Sequence, residues 1–188
     1  MLRGSRVILR DWVPEDALPF TQMNADPVVM EHFAKRLSID ESVAMLMRIR
    51  ENIAKNGWGL WALEVEGVFA GFVGLETPPY ETPFTPCVEV GWRLRTEFWG
   101  KGYASEAATL SLLHGFEEVG LKEIVSFTTL ANERSQRVME RIAMVRDVAG
   151  DFDHPVLEKE HPLVRHCLYR ISNEPATLSL LRKKLKAF

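Results

Sequence analysis

Trp99-Gly100-Lys101-Gly102-Tyr103-Ala104 places two glycines where a strand-like run gives way to a helix-like one. A helix start presents backbone N–H groups with no intrahelical partner, and the helix dipole adds partial positive charge there. Glycines let that backbone approach a ligand closely. The chemistry implied is the seating of a phosphate or pyrophosphate group. Two common nucleotide loops fit poorly. A Walker A loop needs a hydroxyl residue after its lysine, whereas Gly102 follows Lys101; a dinucleotide loop needs a third glycine, whereas Ser105 stands there. Upstream, Val88, Val90, Trp92 and Leu94 alternate onto one face of a strand, which turns Glu89 to the other face beside Gly91.

The glycine turn resembles the acetyl-CoA-binding motif of the GNAT N-acetyltransferases, Gln/Arg-x-x-Gly-x-Gly/Ala. Gly102 and Ala104 occupy its last two fixed positions, and Trp99 stands where glutamine or arginine is usual. Glu106-Ala107 continues the motif as the ribosomal-protein N-acetyltransferase-like (RimJ/RimL-like) branch tends to. Asn132-Glu133-Arg134-Ser135, with the stretch down to Ala143-Met144, is similar to that branch's second signature, Ala143 replacing its glycine. The resemblance covers roughly residues 3–172.

That resemblance implies acetyl transfer from acetyl-CoA to a primary amine, either a protein N-terminus or a small molecule, by direct attack in a ternary complex. The alternative is a noncatalytic acyl-CoA-binding or interaction module on the same fold. Transfer requires that the amine lose its proton, the thioester carbonyl be polarised and the departing thiolate be stabilised. In the family two neighbouring parallel strands splay apart; here they would be Cys87–Arg95 and Ile124–Leu130, with Gly91 as the bulge that parts them. The backbone of Trp92, Arg93 and Leu94 would hold the pantetheine arm, and Trp99, Gly100, Lys101, Gly102, Tyr103 and Ala104 the pyrophosphate.

Glu89 is the expected general base, although periodicity alone leaves it an ordinary strand residue. Asn132 both caps a helix and, in the family, binds the CoA arm. Many members use a tyrosine seven residues after that asparagine to protonate the thiolate; Met139 occupies the position and donates nothing. Ser135 is the branch's replacement, a contact to the sulfur first and an acid second. Arg95, Lys101 and Arg134 are candidate phosphate partners, Lys101 the best of them by position.

The elements that must position these residues follow from periodicity and turn chemistry. Arg6–Arg10 reads as a strand, and Pro14-Glu15-Asp16 opens a helix that Ala25-Asp26-Pro27 ends. Ser38-Ile39-Asp40-Glu41 is a capping box for a helix to about Asn56, with Val43, Leu46, Met47 and Ile53 on one side. Leu60–Val65 and Phe69–Gly74 form a hairpin around Glu66-Gly67. Residues 76–86 read as a loop overhanging a site. The motif helix carries Ala104, Ala108, Leu112, Phe116 and Val119 on one face. A strand at Ile124–Leu130, a helix from Asn132 and strands near Val145–Phe152 and Val164–Ile171 complete the order. The pattern predicts a mixed α/β (α+β) fold with helices on both faces. The resemblance makes its sheet mostly antiparallel with splayed parallel central strands.

At 188 residues the chain suits one domain over 1–173, followed by a basic helical tail over 174–188. A net charge of −3 argues against nucleic acid or an anionic membrane as partner. The start has no signal-like apolar stretch, so a soluble, cytoplasmic monomer or homodimer is expected. Cys87 and Cys167 have no metal-binding or redox spacing and are expected as reduced thiols. Asp151, Asp153, His154, His161 and His166 match no standard metal site, and no metal is expected. Trp58, Trp61, Phe72 and the 76–86 loop are candidates for the acceptor pocket, against the commoner core role of hairpin aromatics.

Overall fold

Eight strands form one sheet whose only parallel neighbours lie at its centre. In chain order they are β1 (Leu2–Arg3), β2 (Ile8–Arg10), β3 (Leu60–Val65), β4 (Val68–Glu76), β5 (Glu89–Leu94), β6 (Glu123–Thr129), β7 (Val145–Asp153) and β8 (Arg165–Ser172). The spatial order is β1-β2-β3-β4-β5-β6-β8-β7, and β5 with β6 is the parallel pair. Five helices complete the chain: α1 (Ala17–Ala25), α2 (Ile39–Asn56), α3 (Tyr103–Glu117), α4 (Glu133–Arg141) and α5 (Pro175–Leu185). The computed structural model describes residues 1–188. The fold is thus mixed α/β, with a largely antiparallel sheet. No helix is long and apolar enough to cross a membrane.

Each sheet face carries its own core. On one side α3, α4 and α5 pack against Leu63, Val73, Leu75, Val90 and Ile124. On the other, α1 and α2 cover Trp12, Leu60, Ala62, Phe69 and Phe72. A slip in register on β4 makes this division possible. Leu63 pairs Gly71 while Glu64 pairs Phe69, so Ala70 is an extra residue and Phe69 and Phe72 reach the same face.

Local chemistry sets the helix ends. Ser38 Oγ accepts the Glu41 N–H at 3.2 Å while Glu41 accepts the Ser38 N–H at 2.8 Å, and Gly57 closes α2 at φ 77°. The buried face of α2 differs from the expected one. Ser42, Leu46 and Ile49 point inward, and Val43 and Met47 are exposed, because Asn24 of α1 meets Ser42 there. α3 also departs from a one-sided pattern: Ser105 to Leu113 are all buried, since the sheet lies under it and α5 over it. α5 is docked by a fully buried Leu181, and Arg182 pairs Glu117 at 2.8 Å. Truncating Leu112 or Leu181 would open a cavity costing about 2–5 kcal/mol.

Candidate active site

The centre of the sheet opens where β5 leaves β6. Glu89 pairs Val125, the Val125 N–H donates to the Val88 carbonyl at 2.9 Å, and Ser126 Oγ donates to the Val90 carbonyl at 2.9 Å. No strand pairing joins β5 to β6 beyond that bridge. The bulge expected at Gly91 is not there: β5 pairs with β4 without a break from Glu89 to Leu94. β6 instead pairs along its whole length with β8.

Parity decides which backbone groups face the gap. Val88 and Val90 direct their carbonyls to β6, so Trp92 and Leu94 face the same way, whereas Arg93 turns its backbone to β4. The expected backbone role therefore holds no place for Arg93. Leu94's carbonyl is occupied as well, because Trp99 Nε1 donates to it at 2.8 Å. Trp99 is thus a brace between the strand and the glycine turn.

The turn itself has the conformation its glycines permit. Gly100 and Gly102 sit at φ 74° and 84°, where a side chain would be strained. Gly102 caps α3, and the first intrahelical bond runs from the Glu106 N–H to the Gly102 carbonyl at 3.0 Å. The preceding N–H groups at Tyr103, Ala104 and Ser105 are left for a ligand. Ser105 Oγ is buried beside them with no hydrogen-bond partner. These groups fit the phosphates of a nucleotide cofactor.

Arg6 fastens this turn from below. Its Nε donates to Glu106 Oε2 at 2.9 Å, its backbone N–H to Glu106 Oε1 at 2.8 Å, and its Nη1 to the Lys101 carbonyl at 3.0 Å. Glu106 is fully buried. Lys101 serves through that carbonyl, and its side chain does not line the cavity. Arg134 does line it, its guanidinium 4.8 Å from the Trp99 ring, while Arg95 is paired to Glu97 at 2.6 Å. Of the three candidate cations, Arg134 is the one brought to the cavity.

Across the gap, Asn132 Oδ1 accepts the Ser135 N–H at 3.2 Å and Asn132 Nδ2 donates to Thr128 Oγ1 at 2.9 Å. Asn132 is therefore a true cap, with its side chain fixed at the cavity edge. Ser135 borders the cavity, and Met139 is almost completely buried.

The opposite wall is made of side chains. β4 and β5 pair Glu76 with Glu89, Gly74 with Gly91 and Phe72 with Arg93. The two carboxylates stand side by side on the α1 and α2 face. Burial, and then the charge of Glu76, hold the Glu89 carboxyl well above the usual carboxylate range, although part of its surface opens to the cavity. Burial also raises Glu76, against the opposing pull of Arg48 and Arg93. Tyr80, in the overhanging loop, hydrogen-bonds His154 Nε2 at 3.0 Å. Burial and neighbouring His166 push His154 down to about 4, so it is neutral at pH 7.

One cavity of about 900 Å³ joins the glycine turn, Glu89, Arg93 and His154. Phe72 borders it, but Trp61 is in the α3-side core and Trp58 lies by a separate small cavity. His166, Asp151 and Asp153 have other partners: the Val164 carbonyl at 3.0 Å, Arg146, and Arg165 at 3.2 Å. Cys87 is not an activated thiol, since burial and Glu89 push it up to about 11. Asn24 and the side chain of Arg93 are not visible as site residues in the sequence; Glu76, which ends β4, and Tyr80 fall within the 76–86 stretch expected to border the acceptor pocket, without individual roles. Only the position of residues 76–86 before the motif strand hinted at Tyr80.

The family described as "Acetyltransferase (GNAT) domain" matches residues 6–145. The chain is 31% identical over 160 residues to the FsC-acetyl coenzyme A-N(2)-transacetylase of Aspergillus fumigatus, covering 79% of this chain and 67% of that protein. Among solved structures, a GNAT-family acetyltransferase from Bacillus anthracis superposes with a TM-score of 0.75 at 22% identity, over 92% of this chain and 98% of the other. Mycobacterium smegmatis RimJ in complex with CoA-disulfide gives 0.73 at 19% identity, over 96% and 88%. At these identities the solved structures bear on the fold alone.

Proposed function

The chain belongs to the GNAT acetyltransferase family, and on that footing we propose that it moves an acetyl group from acetyl-CoA to a primary amine in a ternary complex, within the RimJ/RimL-like branch. The observation that carries this reading is the position of Glu89. Its carboxyl lies where the parallel strands part, in the same cavity as the glycine turn. The curated relative's name supports an acetyl-CoA donor and a nitrogen acceptor.

Acetyl-CoA would supply an acyl group activated as a thioester. The free N–H groups of α3 and Ser105 would hold its pyrophosphate, with Arg134 adding charge. Trp92 and the Leu94 N–H would hold the pantetheine in the gap. Glu89, when ionised, takes the proton from the acceptor ammonium directly or through a water. The nitrogen then bonds to the acetyl carbon as the carbon–sulfur bond breaks, the bonding pair goes to sulfur, and the nitrogen's second proton passes to the thiolate or to solvent. Ser135 lies on the α4 side to give that sulfur a hydrogen bond. A strong acid is not required, because a thiol with a pKa of about 8.5 is a tolerable leaving group.

The test is CoA release on mixing the protein with acetyl-CoA and a panel of amines and N-terminal peptides. Release that depends on an amine supports the reading. Tight acetyl-CoA binding without release from any amine would leave a cofactor-binding module, as Met139 in place of a proton donor would allow.

A further inference from the structure

Arg93 has the environment of a group waiting for a partner. The residue is 9% exposed, and its guanidinium carbon stands 4.1 Å from the ring of Phe33 and 5.4 Å from that of Phe72. Asn24 Oδ1 accepts from Nη1 at 2.6 Å and is its one hydrogen-bond partner. Asn24 is itself held by Ser42, 3.3 Å away, so that acceptor is fixed. Nε is buried with no partner, and no carboxylate oxygen comes within 4.0 Å of the guanidinium. A buried cation in an aromatic box with an idle donor is costly unless an anion completes it.

Arg93 also opens onto the same cavity as Glu89, on the side lined by residues 28–34. This face therefore carries two carboxylates at one end and a guanidinium at the other. A molecule with an ammonium and an anion in the opposite order complements both ends. The guanidinium fork matches a carboxylate. Glu89 and Arg93 are four residues apart on β5, so their Cα atoms are about 13 Å apart. The amine and the anion must then be separated by a chain of several atoms.

We propose that the acceptor is a primary amine that also bears a carboxylate several atoms away, and that the Arg93 side chain binds this carboxylate while the amine faces Glu89. The inference rests on the acetyl-transfer reading and names the substrate class for it. Two sources share this chemistry: a small ω-amino acid, and a peptide N-terminus followed by an acidic side chain. Acetylation consumes the ammonium and leaves the carboxylate intact, so the product is an N-acetyl amino acid or peptide together with CoA thiol.

The experiment uses matched pairs that differ only in the carboxylate. One arm compares 6-aminohexanoate with its primary amide; the other compares peptides beginning Ala-Glu and Ala-Gln. CoA release gives kcat/KM for each, and the same pairs are titrated calorimetrically into the protein–CoA complex. The carboxylate member of one arm should exceed its neutral partner by about tenfold to a hundredfold, and the arm with the larger ratio identifies the source. Arg93→Gln should collapse that ratio mainly through KM, and Arg93→Lys should recover part of it. Because each variant is its own reference, a general loss of stability does not move the ratio. A ratio near one in the wild type, or one unchanged in Arg93→Gln, overturns the proposal. If no amine releases CoA yet the carboxylate members bind better in an Arg93-dependent way, the transfer reading fails while the carboxylate-binding role of Arg93 stands by itself.

Discussion

The two walls of the central cavity are built from different materials. The wall at the glycine turn is contiguous in sequence and works through backbone: Gly100 and Gly102 shape it, the α3 N–H groups face outward, and Trp99 and Arg6 brace it. The opposite wall is assembled from the 28–34 segment, β4, β5, the 76–86 loop and the segment that follows β7, and works through side chains. Backbone recognition needs a conformation and tolerates many residues. Side-chain recognition needs particular residues and carries the selectivity. The first wall is suited to fixing a ligand by its phosphates, and the second to choosing among ligands.

The difference predicts how each wall breaks. Glu89→Gln removes the proposed base from the side-chain wall and leaves the turn untouched. It should lower kcat by about 10² to 10³, with acetyl-CoA affinity by calorimetry within about twofold of wild type. Equal losses in affinity and rate would show that Glu89 shapes the cofactor seat instead. Gly102→Glu should do the reverse. A side chain at φ 84° is strained, and a carboxylate there opposes the phosphates. The acetyl-CoA dissociation constant should rise by about 10², with Gly102→Ala in between. Unchanged binding in both variants would remove the turn from the cofactor site.

A smaller effect tests whether the carboxylates of the second wall act on each other. Glu76 disfavours ionisation of Glu89, so the wild-type rate should rise with pH through a limb lying above the ordinary carboxylate range. Glu76→Gln removes that repulsion and should move the limb to lower pH. A limb that stays in place would mean that burial alone sets the titration of Glu89, and one that moves upward would contradict the repulsion.

The legible parts of the molecule were the local ones. The capping box at Ser38, the Glu66-Gly67 turn and the strand–turn–helix at Trp99–Ala104 each depend on neighbours within a few residues, and the sequence displays them directly. The central parallel pair came from the family resemblance. The pairing of Glu76 with Glu89 was hidden, because it depends on the register between β4 and β5 across a long loop. The sequence shows Arg93 only as strand backbone, since nothing near it reveals that Asn24 and Phe33 meet its side chain. The face of α2 differs from its expectation for a related reason: Val43 and Met47 look like core residues until α1 brings Asn24 to Ser42. Hydrophobic spacing identifies a helix but does not fix the side that meets its neighbour.

The smallest expected effect concerns stability, and it separates a working base from a structural residue. In the folded state Glu89 keeps its proton to higher pH than in the unfolded chain, because its surroundings disfavour the charge. Stability is therefore lost as pH rises from the ordinary carboxylate range through the folded-state titration, and the cost remains in full above it. Glutamine carries no such cost. Glu89→Gln should melt about 2–4 °C above wild type at neutral pH, the shift that about 1 kcal/mol makes in a chain of this size. The two melting temperatures should converge as pH falls below about 4, where both side chains are neutral. A gap that does not close in acid would reflect packing and not charge. A gap that opens over the same pH range as the rise in rate would identify one carboxyl as the source of both, making the side-chain wall less stable for the same reason that it is reactive.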